Sequence, residues 1–362
     1  MVALLISEKI QVKAHSGTYC VSFIDNIKDI IGDEIGKDAF IICDSKVWDI
    51  YGAEWKHLID DKQLITIKAK EETKTLAGVE KLINELVKRR LRRNSKIVVI
   101  GGGITQDISS FVASIVYRGV DWEYIPTTLL SQADSCIGSK TSINIGEVKN
   151  LVGGFYPAKH IYIDVKFLES LNADDIRSGI GEILHYFFYS NSSLVNTLKD
   201  EYHSLFDDRK MLARYVKESL KIKSSVIELD EFDRNERNKF NYGHTFGHGI
   251  ESISGFSIPH GSAVTIGMDI ANFISLKRGI LNEDQFVEMK KILLLNMPPY
   301  RLREADVDRY VAALSRDKKN IGQKLRCVLT RGLGELVMES IEIDSNLSNI
   351  IVEYCRLNKY CH

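Results

Sequence analysis

The chain has 362 residues, 44% of them hydrophobic and 27% charged, which predicts one or two globular domains with sizeable cores. Only five prolines and no low-complexity run exclude an extended disordered protein. A net charge of -1 excludes a general polyanion-binding protein, so we expect no nucleic-acid partner. Any phosphate chemistry has to use individually placed Lys and Arg side chains.

The cysteines and the N-terminal segment bear on cellular location. None of the six cysteines forms a Cys-x-x-Cys pair, and their spacing is not that of a disulfide scaffold, so we expect a reducing, cytoplasmic environment. The apolar segment Met1–Ile6 is very short and is interpreted as a first strand rather than a signal peptide. No apolar run approaches transmembrane length, which argues against a membrane partner.

The first part of the chain alternates strand-like and helix-like segments, which predicts a parallel sheet with crossover helices. The predicted strands are Ala39–Cys43, Leu64–Lys68, Lys96–Ile100, Asp121–Ile125 and His160–Ile163. The predicted helices are Leu76–Leu91 and Asp107–Val116. The basic cluster at 88–93 lacks interleaved aromatic residues, so we interpret it as a solvated helix end rather than a nucleic-acid patch.

Beyond about Val165 strand signals nearly vanish and long helical patterns dominate. These patterns cover Ile176–Phe188, Met211–Leu229, Thr245–Ser254, Ala263–Leu276 and Glu283–Leu295. We therefore predict an α/β N-terminal Rossmann-like nucleotide-binding domain over residues 1–168 and an all-α C-terminal domain over residues 169–362.

Three consecutive glycines, Gly101, Gly102 and Gly103, join a predicted strand to a predicted helix. A turn of this kind brings backbone N–H groups close to a bound phosphate. It is neither Gly-x-Gly-x-x-Gly nor a Walker loop, and by itself it fits a ligand-free turn equally well. Asp44, at the end of an earlier strand, is placed to accept hydrogen bonds from a ribose.

Polar and cationic residues recur in poorly periodic stretches. Residues 126–144, with Lys149 and Asn150 soon after, either cap their own backbone or hold a polyhydroxylated ligand. Lys223 and the charge runs at 234–241 and 316–320 are, taken singly, typical of solvated faces. Several cations around one metal cleft would instead suit an anionic substrate.

Three histidines fall close together in a helical pattern. His244 and His248 are four residues apart and share one helix face, and His260 returns to it if a turn forms at 254–257. Two imidazoles and one carboxylate make a divalent-metal site with an open coordination position. Glu182, with His185 one turn away in an apolar helix, is the carboxylate that we add. The alternatives are hydrogen-bonded helix histidines and an exposed helix glutamate.

These motifs together resemble those of 3-dehydroquinate synthases and of the wider sugar-phosphate cyclase family. The matching segments run in order from about residue 40 to residue 334. They are Glu71-Glu-Thr-Lys74, Gly101-Gly-Gly-x-x-x-Asp107, Tyr117-Arg118-Gly119, Pro126-Thr-Thr-Leu-Leu130, Asp134-Ser-x-x-Gly-x-Lys140-Thr-x-x-Asn144, Lys149-Asn150, Gly181-Glu182, Asn241-x-Gly-His-Thr-x-Gly-His248, His260-Gly261 and Asp317-Lys-Lys319.

The resemblance implies a two-domain fold, bound NAD, one zinc or cobalt ion and a homodimer. The implied metal ligands are Glu182, His244 and His260, so His248 becomes a substrate-binding residue. The implied NAD contacts are Asp44, Glu71, Lys74, Gly102, Gly103, Asp107, Thr127 and Thr128. The implied substrate contacts are Asp134, Lys140, Lys149, Asn150, Lys223, Arg237, Asn241, His248 and Lys319. Arg118 would reach the neighbouring subunit's site.

The family activity implied is that of a carbon–oxygen lyase acting on a small sugar phosphate. Hydride passes to NAD from a ring carbinol, the metal polarises the ketone, phosphate is eliminated, and the hydride returns before the ring recloses. NAD is therefore required but not consumed. The expected substrate is 3-deoxy-arabino-heptulosonate 7-phosphate.

Departures from the family pattern concern the substrate. His185, included in our catalytic set, replaces the Lys of a Glu-x-x-Lys motif, Ser139 and Ser142 replace Gly, and Lys70 replaces the Gly before Glu71. The retained Lys223, Arg237 and Asn241 are the positions that hold the substrate carboxylate in this family. The alternative hypotheses for the function are a cyclase for another six- or seven-carbon sugar phosphate, a metal-dependent polyol dehydrogenase and a catalytically silent paralogue.

Overall fold

The chain forms two compact units. Unit 1 comprises the chain up to Leu171 together with Lys223–Phe232, and unit 2 comprises Asn172–Ile222 and the chain from Asp233 onwards. The computed structural model describes residues 8–33, 39–146, 148–316, 320, 322 and 324–357. The strand expected at 1–6 and the substrate residue Lys319 lie outside the described residues.

Unit 1 is an α/β unit. Its strands are β1 (Glu8–Ala14), β2 (Gly17–Phe23), β3 (Ala39–Asp44), β4 (Leu64–Ile67), β5 (Lys96–Gly101), β6 (Trp122–Pro126), β7 (Lys140–Ile145), β8 (Val148–Phe155) and β9 (His160–Ile163). Its helices are α1 (Ile27–Asp33), α2 (Ser45–Trp55), α3 (Leu76–Lys88) and α4 (Gly103–Ile115). Seven strands form one sheet in the order β1-β2-β9-β6-β5-β3-β4, and only the β1–β2 pair in it is antiparallel among the residues described.

The centre of this sheet follows from its apolar runs. Nearly all residues of β3, β5 and β6 are buried, as expected for parallel strands covered on both faces. All five predicted strands are confirmed to within one residue at either end. The hairpins β1–β2 and β7–β8 were not predicted from the sequence. In β8 no residue is buried, so no apolar face marks the strand.

Unit 2 is predominantly helical. Its helices are α5 (Ala173–Ser190), α6 (Leu194–Glu201), α7 (Arg209–Leu229), α8 (His244–Ile253), α9 (His260–Lys277), α10 (Glu283–Leu295), α11 (Val307–Ser315) and α12 (Ser345–Leu357), with α7 continuing into the 223–232 segment of unit 1. Helix α9 is central, since every residue from Gly261 to Ser275 is buried, and it packs against α5, α8 and α10.

Two features of unit 2 go beyond the prediction. The helical C-terminal unit is confirmed, but it is not all-α, because β10 (Lys324–Thr330) and β11 (Leu336–Glu342) form an antiparallel pair. Strand β11 buries only two of its seven residues, so no continuous apolar run marks it in the sequence. The return of 223–232 to unit 1 falls inside the pattern of a long helix and so leaves no boundary signal. No helix in the described part of the chain is both long and apolar enough to cross a bilayer.

Candidate active site

Two glycines bring the candidate metal ligands of unit 2 together. A Cβ on Gly181 of α5 would lie 2.0 Å from the carbonyl oxygen of Gly261 on α9, so neither helix tolerates a side chain at this crossing. Glu182 follows the first glycine and His260 precedes the second. The close crossing therefore places this carboxylate beside this imidazole, while His244 joins them from the first turn of α8.

The three side chains have the spacing of metal ligands. His244 Nε2 lies 3.5 Å and His260 Nε2 lies 3.3 Å from Glu182 Oε1. Zinc bonds of about 2.0–2.1 Å at tetrahedral angles separate neighbouring ligand atoms by about 3.4 Å. The side chain of Glu182 is only 1% exposed, and a buried carboxylate requires a compensating charge. The donor set and its spacing thus fit a divalent ion with an open position.

Both imidazoles are oriented by acceptors at their Nδ1 atoms. His244 Nδ1 lies 3.3 Å from the carbonyl oxygen of Tyr242, and His260 Nδ1 lies 3.3 Å from each carboxylate oxygen of Glu251. An acceptor at Nδ1 keeps the proton there and leaves Nε2 free to bind a metal. The contacts of both rings therefore direct their Nε2 atoms to the side where Glu182 lies.

The charges of this cluster shift two pKa values in opposite directions. Burial raises the pKa of Glu182, but His244 and His260 outweigh burial and lower it well below its usual value. Burial lowers the pKa of His260, but the hydrogen bonds and charges of Glu182 and Glu251 raise it well above its usual value. Both shifts favour an ionised Glu182 beside a protonated His260.

His248 lies beside this trio and is exposed. Its ring centroid is 5.8 Å from that of His244 and 5.6 Å from that of His260. Two groups among the described residues have ligand spacing, namely the trio with Glu182 and a second group of His248, Glu251 and His260. Because Glu251 orients His260 in the first group, the trio is the better-supported metal site.

The other candidate residues of unit 2 differ in their surroundings, and only His185 contacts a member of the trio among the contacts that follow. His185 is fully buried, and its ring packs edge-on against Tyr186, Phe240 and His244 at centroid distances of 4.8, 5.6 and 5.1 Å. It therefore packs beside the trio rather than extending a long charged arm. Arg237 is buried at 5% exposure, and Asn241 donates from Nδ2 to the carbonyl oxygen of Asn238 at 2.8 Å.

The candidate cofactor residues of unit 1 follow four neighbouring strands. Asp44 ends β3, Gly102 and Gly103 follow β5, Thr127 follows β6, and Glu71 comes shortly after β4. These strands are parallel neighbours, so the residues share the carboxyl edge of the sheet. Open α/β sheets bind ligands at this edge.

The glycine turn itself is tightly packed on one side. A Cβ on Gly102 would lie 2.9 Å from Thr128 Cγ2, whereas a Cβ on Gly103 would meet nothing closer than Ser135 Oγ at 3.8 Å. Helix α4 starts at Gly103 without a side-chain cap. The turn therefore fits the close approach of an anion to backbone N–H groups.

Lys74 and Asn144 connect candidate cofactor residues to a candidate substrate residue. The buried Lys74 Nζ lies 2.5 Å from Asp107 Oδ2 and 2.5 Å from Asn150 Oδ1. Asn144 donates from Nδ2 to Glu71 Oε1 at 2.8 Å and accepts at Oδ1 from the backbone of Asn150 at 2.9 Å. Burial raises the pKa of Asp107 although Lys74 opposes this shift.

The remaining candidate substrate residues of unit 1 differ in exposure. Lys223 is buried and donates to the carbonyl oxygen and to Oδ1 of Asp134 at 2.7 and 2.8 Å. Lys140 is exposed, and Lys149 Nζ lies 4.0 Å from Glu71 Oε1. The structure thus groups Asp134 with Lys223, and Lys149 with the network around Asn144.

Arg118 lies in a strained turn. Tyr117, Arg118 and Gly119 have φ values of 50°, 65° and 120°. Consecutive positive φ values at residues with a Cβ are unfavourable and persist where surrounding structure imposes them. Tyr117 and Arg118 are both exposed.

Two residues of these networks were not singled out from the sequence. Glu251 lies three residues after His248 and seven after His244, so helical periodicity is the signal that could have placed it on their face. Asn144 appeared in a matched motif without a role. Its role depends on the β7–β8 hairpin, which the sequence pattern does not reveal.

Family models match most of the chain. Models for 3-dehydroquinate synthase N-terminal and 3-dehydroquinate synthase C-terminal match residues 64–178 and 179–320. The 3-dehydroquinate synthase of Dictyoglomus turgidum is 39% identical over 291 residues, covering 78% of this chain and 81% of that protein. The 3-dehydroquinate synthase of Alkaliphilus metalliredigens is 31% identical over 360 residues, covering 96% and 99%.

A solved structure shares the fold. The crystal structure of 2-deoxy-scyllo-inosose synthase complexed with carbaglucose-6-phosphate, NAD+ and Co2+ matches with a TM-score of 0.84, covering 96% of this chain and 99% of that one. At 22% identity this likeness shows the fold alone. The family models and the two relatives lead to one conclusion: the chain belongs to the 3-dehydroquinate synthase family.

Proposed function

We propose that this chain is an NAD- and metal-dependent carbon–oxygen lyase that eliminates phosphate from 3-deoxy-arabino-heptulosonate 7-phosphate and closes a carbocycle. The observation that carries the proposal is the trio of Glu182, His244 and His260. The Nε2 atoms of His260 and His244 lie 3.3 and 3.5 Å from Glu182 Oε1, which fits the separation of two ligand atoms on a tetrahedral ion. Relatives named 3-dehydroquinate synthase at 31% and 39% identity support the same assignment.

The trio would hold zinc or cobalt, which when bound polarises a substrate carbonyl. The chain's own residues prepare this site. Glu182 supplies a negative charge from a fully buried position, and the Tyr242 carbonyl and Glu251 hold the two imidazoles in the tautomer that binds through Nε2. Substrate oxygens would take the open position.

The carboxyl edge of the unit 1 sheet would hold NAD, which supplies reversible hydride transfer. The turn at Gly102 and Gly103 offers backbone N–H groups to the pyrophosphate at the uncapped start of α4. Asp44, Glu71, Lys74, Asp107, Thr127 and Thr128 complete the proposed contacts. The side chains of Lys74 and Asp107 hold each other at 2.5 Å, which fixes both before the cofactor arrives.

The proposed substrate carries both a phosphate and a carboxylate. Arg237 supports the carboxylate, because it is buried and its planar guanidinium matches the geometry of a carboxylate. Lys223 and Asn241 are assigned to the same group. Asp134, Lys140, Lys149, Asn150, His248 and Lys319 are the other proposed substrate contacts, and His185 supports the site by packing against His244.

We also propose a cytoplasmic homodimer in which Arg118 serves the neighbouring subunit's site. The strained turn that exposes Tyr117 and Arg118 supports this role, since such strain is retained where it presents a functional side chain. Light scattering tests the dimer. Mixing Arg118→Ala protein with a Glu182→Gln variant tests the sharing, because only shared sites restore activity in the mixed dimers.

The activity is tested with purified protein, NAD and zinc. Phosphate release from 3-deoxy-arabino-heptulosonate 7-phosphate should require NAD, while free NADH should not accumulate, since hydride leaves and returns within one turnover. Accumulation of NADH without phosphate release would instead identify a polyol dehydrogenase. No turnover of any substrate with metal and NAD bound would identify a silent paralogue.

A second candidate function is supported by His185. Its buried ring, packed among Tyr186, Phe240 and His244, replaces a charged arm that the family places at this position. A cyclase for a carboxylate-free sugar phosphate would fit this loss. Turnover of sedoheptulose 7-phosphate or glucose 6-phosphate, with none of the heptulosonate, would establish that alternative.

A further inference from the structure

The residue before Lys140 has an unusual backbone conformation. Ser139 has φ +66°, and Gly138 before it has φ +109°. A residue with a Cβ is disfavoured in this left-handed region, where glycine is the usual occupant. Contacts of Ser139 must therefore offset the cost of holding it there.

Ser139 is held on two sides within unit 1. Its Oγ donates to Glu231 Oε1 at 2.7 Å, and its carbonyl oxygen accepts from the backbone of Tyr156 at 2.6 Å. The neighbouring Gly138 donates its N–H to the hydroxyl of Tyr19 at 3.1 Å. The bond to Glu231 is the one that uses the hydroxyl, the group that serine has and glycine lacks.

Glu231 is a buried acceptor for several donors. It accepts from the backbone N–H of His15 at 2.7 Å, and its Oε1 lies 3.1 Å from His15 Nδ1. Its side chain is 7% exposed. Burial raises the pKa of Glu231, but the hydrogen bonds from Ser139 and His15 outweigh burial and lower it. The acceptor is therefore a carboxylate, which makes stronger hydrogen bonds than a neutral group.

One segment holds both ends of the loop at 134–140. At its start, Lys223 donates to the carbonyl oxygen and to Oδ1 of Asp134 at 2.7 and 2.8 Å. At its end, Glu231 holds Ser139. Lys223 and Glu231 both belong to the 223–232 segment of unit 1. The loop that begins at Asp134 and ends at Lys140 is thus fixed at both ends by the same stretch of chain.

We propose that Glu231 is a positioning residue for the substrate, because through Ser139 it fixes the backbone that presents Lys140. The inference rests on the proposed function, in which Asp134 and Lys140 contact a phosphorylated substrate. Without the bond to Glu231, a serine at positive φ loses the contact that offsets its strain. The loop then samples other conformations, and Lys140 leaves its binding geometry.

A double-mutant cycle tests this inference. Ser139→Ala keeps the Cβ and removes the hydroxyl, Glu231→Gln removes the charge, and a third variant carries both changes. Glu228→Gln is the matched control, because Glu228 lies on the same segment and accepts from the backbone of Lys13 at 3.2 Å instead. The measurements are KM and kcat for the substrate of the wild-type enzyme, and hydrogen exchange of the backbone at 134–142.

Each single variant should raise KM about tenfold to a hundredfold with a smaller change in kcat, and should speed exchange at 134–142. The double variant should be no worse than the worse single variant, since Ser139→Ala removes the same hydrogen bond that Glu231→Gln weakens by removing its charge. Glu228→Gln should match the wild type. Ser139→Gly provides a second variant if the alanine protein does not fold: it loses the bond to Glu231 but tolerates φ +66° without strain, so it should speed exchange at 134–142 and raise KM less than Glu231→Gln does.

Unchanged KM and exchange in both single variants would overturn the proposal, as would additive effects in the double variant. A purely structural role would lower the fraction of active protein and leave KM unchanged. Absence of turnover in the wild type would count against the proposed function only. In that case the exchange measurement alone decides whether Glu231 holds the loop.

Discussion

Glu251 lies behind His260, with each of its carboxylate oxygens 3.3 Å from Nδ1 of the imidazole. The opposite ring nitrogen lies 3.3 Å from Glu182, so the imidazole is held between two carboxylates. In the metal-free protein these carboxylates raise the pKa of His260 although burial opposes them. A divalent ion that binds at Nε2 must displace the proton that this arrangement retains.

Zinc binding is therefore expected to release a proton and to tighten as pH rises through the raised pKa of His260. Glu182, whose pKa is lowered, stays ionised in this range and releases none. The metal-free protein loses the stability of its protonated His260 as pH rises through the same pKa, so the increase in Tm on adding zinc should grow with pH. Calorimetric titrations in two buffers of different ionisation enthalpy measure the proton number, and a value of zero at neutral pH would contradict this account.

Glu251→Gln should lower the pKa of His260 and move this pH dependence toward acid. The variant should also weaken zinc affinity about tenfold to a hundredfold, because the imidazole loses the carboxylate that orients it. The same titrations measure both effects. An unchanged affinity and pH profile would show that Glu251 does not orient His260.

Glu182→Gln and His260→Ala should each lose bound metal and activity, since each removes one of three ligands. His248→Ala should keep stoichiometric metal and lose turnover, because this exposed side chain is assigned to the substrate. Metal analysis of protein purified in zinc distinguishes the two classes. Retention of stoichiometric zinc by His260→Ala would refute the ligand assignment.

Gly181→Ala should impair metal binding without changing a ligand. Its Cβ would collide with the Gly261 carbonyl at 2.0 Å, so α5 and α9 must separate and Glu182 must move away from His260. Zinc content and Tm should both fall. Gly32→Ala is the control, because a Cβ on this helical glycine meets no atom within 4 Å. A Gly181→Ala protein with normal Tm and full zinc content would contradict this packing argument.

Arg237→Ala should raise KM for a carboxylate-bearing substrate about tenfold to a hundredfold, the effect of losing a charged hydrogen bond. Arg237→Lys should recover only part of the loss, because an ammonium group cannot bind a carboxylate through a planar fork. Arg234→Ala is the control, because Arg234 is exposed to solvent and lies only three residues before Arg237 in the sequence. Wild-type KM values in both Arg237 variants would remove Arg237 from the carboxylate site.

Sequence patterns predicted the strands and helices that a continuous or periodic run of apolar side chains marks. The continuous apolar runs of β3 and β5 were correctly predicted as buried strands, and the periodic run at 245–254 forms most of α8. The β7–β8 hairpin was missed because its exposed strand buries no apolar face.

For the site, the spacing of His244, His248 and His260 indicated a metal centre but could not choose among the three. The apolar helix around Glu182 indicated the carboxylate, and the family resemblance then assigned His248 to the substrate. Contacts between distant segments, such as that of Ser139 with Glu231, follow from tertiary packing and leave no local signal.

The return of Lys223–Phe232 to unit 1 has a consequence for biosynthesis. Emerging from the ribosome, the first 171 residues contain the whole parallel sheet but lack the partners of His15, Asp134 and Ser139. Unit 1 can therefore be completed only after Phe232 has been translated, when the first stretch of unit 2 already exists. We expect the nascent chain to hold an unfinished unit 1 through this interval, and a truncation between residues 178 and 179, where the two family models meet, to leave it unfinished permanently.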